Sequence, residues 1–305
     1  MRIFTIGLIF ALFAFSTGIY AASEIGAVGS AYKHTRYVIR TTLGLEKSWV
    51  DISTRVSRPL DQPVNCPSPA ESLVVVTGGQ SNAANAISSY FASDPADRVY
   101  AWYDGACHVA RDPLPGATGA DGSLWTNLGV ELGRAVDRPV VLINGAISAT
   151  QYADWLDSRS LYLQTLLDNV AQAQAYGFEP RLVLWHQGET DAGTKFDTNV
   201  LQQQITELTS NLLLAMPESE LYLFRTSKCT GDGRENGVPE VREVQTRVAE
   251  GNDRMIVGMN TDELGNDYRW DKCHFNSLGR AAIIETIVPE LAAYLSPDTA
   301  PTAEN

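Results

Sequence analysis

Short apolar runs alternate with stretches of helical spacing along most of this chain. Leu73 to Thr77 reads Leu-Val-Val-Val-Thr, the pattern of a buried strand, and runs into Gly78-Gly79. Arg98 to Tyr103 reads as a second extended piece. Helical spacing over 125–136 leads into an apolar strand over 139–143, and a helix over 161–176 leads into a strand over 181–185. A helix over 200–215 then precedes strand 221–224, a helix over 238–250 precedes strand 255–258, and a helix over 278–295 closes the series. Continuous β-branched strands alternating with helices need a parallel sheet covered on both faces. The predicted class is therefore α/β, built as a three-layer α/β/α sandwich. In such sheets reactive groups gather beyond the carboxyl ends of the strands.

The N-terminus has another character. Arg2 is followed by an apolar run from Ile3 to Phe15, then by Ser16-Thr17-Gly18 and Ile19-Tyr20-Ala21-Ala22. A basic start, an apolar centre and small residues at the end predict a secretory signal cleaved after Ala21 or Ala22. The run from Ile3 to Ala22 also nearly suffices to span a bilayer, so residues 1–22 are read as a signal peptide or an uncleaved membrane anchor. A buried core helix is the third reading of the same run. Both leading readings put the main domain outside the cytoplasm, periplasmic or secreted. Residues 23–70 read as a lead-in or stalk that becomes turn-rich at Pro59, Pro63, Pro67 and Pro69. The main domain is expected over 71–297, with a tail over 298–305.

Composition narrows the function classes. A net charge of -13 over 305 residues argues against a nucleic-acid surface, which needs clustered Lys and Arg. The four cysteines, Cys66, Cys107, Cys229 and Cys273, form an even set in a chain predicted to be exported. They suggest two disulfides, with three pairings open. The favoured pairing is Cys66–Cys107 with Cys229–Cys273, the second bracing the loop that carries His274; free buried thiols are the alternative. Their spacing matches no zinc motif.

Four polar clusters follow predicted strands or lie in nearby loops. In Gly78-Gly79-Gln80-Ser81-Asn82 a glycine turn can expose the Ser81 hydroxyl at the start of a helix, where backbone N–H groups favour a developing negative charge. Ser81 or Asn82 as a plain helix cap fits the same residues. In Asp271-Lys272-Cys273-His274 one turn supplies a base and the carboxylate that orients it; a solvated loop histidine is the alternative. In Trp185-His186-Gln187-Gly188-Glu189-Thr190-Asp191 the Gln187 amide can donate to an oxyanion. Glu189 and Asp191 are too close in sequence to flank a glycosidic bond and are read as loop braces. His186 lacks a second histidine at ligand spacing and is read as a supporting or substrate-contacting residue, so no metal is expected. The fourth cluster, Ala146 to Trp155, is weaker: its backbone N–H groups could add to an oxyanion hole, and a plain loop would look the same.

Together these clusters resemble the SGNH (GDSL-like) hydrolase superfamily, and within it the branch of sialic-acid-type O-acetylesterases and carbohydrate esterase family 6. Gly79-Gln80-Ser81-Asn82, the block from Trp185 to Asp191, and the block from Asp271 to Asn276 are similar to that branch's blocks and occur in its order. Tyr103-Asp104-Gly105 with Asp112-Pro113-Leu114 resembles a further loop of the family. The resemblance implies a flavodoxin-like parallel sheet, Ser81 as nucleophile, His274 as base and Asp271 as its orienter. It also implies an oxyanion hole from the Ser81 backbone N–H and the Gln187 side chain. The family's Gly-Gly-Thr-Ser before a Trp is replaced by Ser148-Ala149-Thr150-Gln151 before Trp155. A backbone N–H survives that exchange, so the remaining donor is assigned to Ala149. Gln80, Asn82, His186, Glu189 and Asp191 are left as supporting or substrate-binding residues. The implied activity is removal of O-acetyl groups from a sugar or polysaccharide such as sialic acid or xylan, with no cofactor. A lipase or thioesterase on the same triad, an acyltransferase, and a non-catalytic glycan-binding relative are the rivals.

Overall fold

The computed structural model describes residues 55–229 and 235–295. All of these belong to one of the two compact units into which the chain divides, Val50–Asn305. The expectations for the leader at 1–22, for 23–54 of the lead-in and for the tail at 298–305 lie outside the described residues.

Seven strands form one sheet in the order β3-β2-β4-β1-β5-β6-β7. They are β1 (Leu73–Gly79), β2 (Val99–Tyr103), β3 (Ala106–Val109), β4 (Val140–Asn144), β5 (Pro180–His186), β6 (Glu220–Arg225) and β7 (Met255–Asn260). Every neighbouring pair is parallel except β2–β3, an antiparallel hairpin at the edge. The helices are α1 (Trp125–Val136), α2 (Tyr152–Leu156), α3 (Tyr162–Tyr176), α4 (Glu189–Ala192), α5 (Thr198–Ala215), α6 (Pro239–Glu250) and α7 (Ser277–Leu295).

Side chains alternate between the two sheet faces, and both faces are covered. Leu73, Val75, Leu142, Leu182 and Leu184 share one core cluster with Leu128 and Leu132 of α1 and Ile283, Ile284 and Ile287 of α7. The alternate residues Val74, Val76, Val141, Ile143 and Val183 are buried too, as period 2 requires of a sheet packed on both sides. The layers are therefore those expected of a three-layer SGNH-type sandwich. The hairpin strand β3 was not foreseen. It is only four residues long and interrupted by His108, but Cys107 ties it to Cys66, and the Val64 N–H donates to the Cys107 carbonyl at 2.8 Å.

Central position, not propensity, sets the reactive end. Thr77 of β1 lies in register with Asn144 of β4, and Gly79 lies in register with His186 of β5. The chain therefore leaves β1, β4 and β5 side by side at their carboxyl ends, where three of the four polar clusters begin. The described part of the lead-in runs over the domain: Ser57 N–H donates to the Ala117 carbonyl at 2.8 Å, and Asp61 pairs with Arg111 at 3.0 Å. No helix among the described residues is long and apolar enough to cross a membrane.

Candidate active site

The residues around Ser81, namely Gly79, Gln80 and Asn82, are each tied down by hydrogen bonds to other segments of the chain. Gly79 has φ of +124°, a conformation that suits glycine, and a Cβ there would collide with the His186 carbonyl oxygen. Its own carbonyl accepts the Ile147 N–H at 2.9 Å. Gln80 donates its N–H to the His186 carbonyl at 3.1 Å and accepts the Thr190 N–H on its side chain at 3.0 Å. Asn82 donates to Glu189 Oε1 at 2.9 Å and to the Cys273 carbonyl at 3.2 Å, and accepts the Phe275 N–H at 3.1 Å. Between them stands Ser81, whose hydroxyl and N–H make no hydrogen bond among the described residues.

The helix expected after Ser81 does not form. Ala83 and Ala84 donate to the Gln80 carbonyl at 2.9 Å, completing one turn, and the chain then departs. Asn85 draws it away: its side chain pairs with the backbone of Leu114 in both directions, at 2.8 and 2.9 Å. An Asn side chain that mimics a strand edge competes with helical bonding. The donors at Ser81 thus belong to a single turn.

On the opposing loop, His274 Nδ1 lies 2.7 Å from Asp271 Oδ2, while Asp271 Oδ1 accepts the backbone N–H groups of His274 and Cys273 at 2.7 and 3.0 Å. Burial works to raise the Asp271 pKa, but the His274 ring and these N–H groups together hold it below the ordinary carboxylate value. Asp271 is therefore ionised and only accepts, which puts the proton on Nδ1 and leaves Nε2 as the basic nitrogen. His274 Nε2 and Ser81 Oγ are not hydrogen-bonded in this structure; such contacts often tighten only when substrate enters.

Two residues unforeseen from sequence shape this loop. The buried Arg269 guanidinium donates to the Cys273 carbonyl, to that of Thr261 at 2.8 Å and to that of Leu264 at 3.2 Å, and stacks 4.2 Å from the Phe275 ring centroid. Trp270 lies against the imidazole with centroids 5.9 Å apart. Their only signal in the sequence is position, directly before Asp271. The Cys229–Cys273 bridge closes the other side, with Cys273 Sγ 3.8 Å from His274 Nε2.

The block after β5 is almost wholly buried. His186 Nε2 lies 3.0 Å from the Thr261 hydroxyl, and Nδ1 lies 3.5 Å from Glu189 Oε1. Burial, aided by Arg269, lowers the His186 pKa to about 3, while burial raises that of Glu189 to about 7. His186 is thus neutral, and its contact with Glu189 is not an ion pair. Burial likewise raises Asp191 to about 7, although the Tyr152 N–H donates to it at 3.1 Å. Partial protonation eases the unpartnered buried oxygens Glu189 Oε2 and Asp191 Oδ2.

Gln187 is fixed through its backbone carbonyl, which accepts from Tyr152 Oη at 3.0 Å and Gln245 Nε2 at 2.7 Å. Its own Nε2 lies 3.5 Å from the Thr150 carbonyl, so the amide faces the loop after β4. In that loop Ala149 is exposed, has φ of +61°, and makes no hydrogen bond through its N–H among the described residues. Ser148 N–H is taken by the Thr118 hydroxyl at 2.8 Å. No group of three or more His, Cys, Asp or Glu among the described residues is placed to hold a metal ion.

The family model described as carbohydrate esterase, sialic acid-specific acetylesterase, matches residues 72–289. Among solved structures, a protein from Arabidopsis thaliana is similar with a TM-score of 0.59 at 17% identity, over 74% of this chain and 98% of that one. A carbohydrate acetylesterase from Xanthomonas citri is similar with a TM-score of 0.49 at 15% identity, over 73% of this chain and 57% of that one. A lipase/acylhydrolase from Enterococcus faecalis gives 0.46 at 14%, over 75% and 100%. The likeness to the Arabidopsis protein is one of fold. No curated protein sequence matches the chain. The family match spans all seven strands and the greater part of the last helix, so the chain belongs to the carbohydrate esterase family of sialic acid-specific acetylesterases and is a carboxylic ester hydrolase.

Proposed function

We propose that this enzyme removes O-acetyl groups from a carbohydrate through an acyl-enzyme on Ser81. His274 Nε2 takes the hydroxyl proton as Ser81 Oγ bonds to the ester carbonyl carbon. Asp271 holds the Nδ1 proton and stabilises the imidazolium. The oxyanion is received by the N–H groups of Ser81 and Ala149 and by Gln187 Nε2, each such donor being worth about 10²–10³ in kcat. The imidazolium returns its proton to the departing sugar oxygen. Water, deprotonated by the same base, then releases acetate.

The observation that carries this reading is the Asp271–His274 contact at 2.7 Å on a loop that Asn82, the neighbour of Ser81, grips on both sides. Two free backbone donors, at Ser81 and Ala149, support the oxyanion assignment. The acetylated sugar comes from the family, whose description names sialic acid; acetylated xylan is the second candidate. Two disulfides and the leader-like residues 1–22 support work outside the cytoplasm.

The test is acetate release from O-acetylated sialic acid and acetylated xylan. Wild type is expected to release acetate, with Ser81→Ala lower by at least about 10⁴-fold. Undiminished release by Ser81→Ala would remove the nucleophile. A preference for long acyl chains over acetyl would favour a lipase.

A further inference from the structure

Trp270 is 53% exposed although it lies directly on His274. The other tryptophans among the described residues, Trp102, Trp125, Trp155 and Trp185, are at most 2% exposed. The Trp270 ring is nonetheless fixed. Its plane is 24° from that of the imidazole, its Nε1–H donates to the Ala86 carbonyl at 3.1 Å, and its backbone N–H donates to the His274 carbonyl at 2.9 Å. A large apolar ring held rigid yet left open to water loses rotamer freedom and gains only part of the burial that would compensate. Such a ring is an informative surface feature, and here it borders the base.

We propose that Trp270 is the platform for the sugar ring that bears the ester, and so determines specificity for carbohydrate alcohols. This rests on the reading of the substrate given above. Asp271 occupies Nδ1, so the imidazole delivers the leaving-group proton from Nε2. The alcohol must then depart alongside this imidazole, and the indole forms its flank. A pyranose presents a face of C–H groups with hydroxyls around the rim. That face suits a flat apolar ring whose polar N–H is already engaged with Ala86. A small aliphatic alcohol has no such face and gains little from the platform.

The experiment compares an acetylated monosaccharide with ethyl acetate for wild type, Trp270→Ala and Trp270→Phe. Trp270→Ala also removes the ring against His274, so any fall of kcat is expected to be shared by both substrates, while KM for the sugar rises about tenfold relative to KM for ethyl acetate. Trp270→Phe is expected to recover most of the loss. An equal fall of kcat on both substrates with no change in the ratio of their KM values would assign Trp270 to holding His274 alone and overturn the proposal. An unchanged KM for the sugar would also overturn it. Iodide quenching of tryptophan emission in Ser81→Ala gives a second measurement should Trp270→Ala not fold. Saturating acetylated sugar is expected to shield the emission, and no shielding counts against the platform. Wild type that hydrolyses ethyl acetate but no acetylated sugar sinks the carbohydrate reading and this proposal together. Sugar turnover indifferent to Trp270 sinks this proposal alone.

Discussion

Asn82 Oδ1 accepts the backbone N–H of Phe275 at 3.1 Å, across 193 positions of sequence, while Asn82 Nδ2 reaches the carbonyl of Cys273 at 3.2 Å. The side chain next to Ser81, the proposed nucleophile, thus holds the residues on either side of His274. Asn82→Ala leaves Glu189, Cys273 and Phe275 short of a buried partner, at a cost of roughly 1–3 kcal/mol for each unsatisfied group. We expect kcat to fall about 10- to 100-fold with little change in KM, because a displacement near 1 Å of His274, the proposed base, costs about that much. Initial rates on an acetyl ester with parallel thermal unfolding check it. A variant that unfolds early yet keeps full kcat would show that Asn82 serves stability alone.

The contribution of three buried groups to stability should peak at about pH 4. Glu189 and Asp191 have folded pKa values near 7, against ordinary values of 4.5 and 3.8, so folding favours their protonated forms. Their contribution is complete below pH 4 and is lost as pH rises through about 7, on the order of 3 kcal/mol for Glu189. His186 acts in the opposite sense. Its folded pKa is near 3 against 6.5, so its contribution is complete above pH 6.5 and is lost as pH falls toward 3. Calorimetric unfolding from pH 4 to 8 tests this. Glu189→Gln, which keeps the carbonyl facing Asn82, is expected to flatten the decline between pH 4.5 and 7; an unaltered decline would refute the assignment.

The two disulfides offer a matched comparison. They span 41 and 44 positions, so chain-entropy arguments give both about 4 kcal/mol. Only Cys229–Cys273 touches His274, at 3.8 Å from Nε2. Removing either pair by Cys→Ala at both ends should cost similar stability, whereas only loss of the second should lower kcat, by about tenfold or more. Equal kcat in the two double variants, measured where both are folded, would contradict a role for the second bridge in seating His274 as the proposed base.

Ala149 carries a φ of +61°, which costs an L-residue about 1 kcal/mol. Ala149→Gly keeps the backbone N–H and removes that strain. Part of the gain is offset by the greater freedom of glycine in the unfolded chain. We expect stabilisation of about 0.5 kcal/mol with kcat within about twofold, read by denaturant unfolding and ester turnover. A large fall in kcat would mean that the methyl group, rather than the N–H, matters at this position.

Much of the sheet could be read from sequence because its strands are unbroken apolar runs such as Leu73 to Val76, which need no partner to be recognised. The Asp271–His274 pair was equally readable, since both residues lie in one turn. What escaped depends on distant partners. The β3 strand is held by a disulfide and an edge pairing, and the turn after Ser81 is decided by Asn85 meeting Leu114. Arg269 and Trp270 look like surface residues in sequence; only the closed loop buries one and stacks the other on His274. The neutrality of His186 follows from burial, which local sequence does not encode.

The grip of Asn82 on Cys273 and Phe275 also bears on how the enzyme acquires activity. His274 and Asp271 can meet early, through local contacts, but Ser81, the proposed nucleophile, joins them only when segments 191 to 193 positions apart come together. Closing so long a loop is a late and slow event in a parallel fold. During refolding, recovery of esterase turnover should therefore trail recovery of helical signal, and specific activity becomes a direct count of chains that have finished folding.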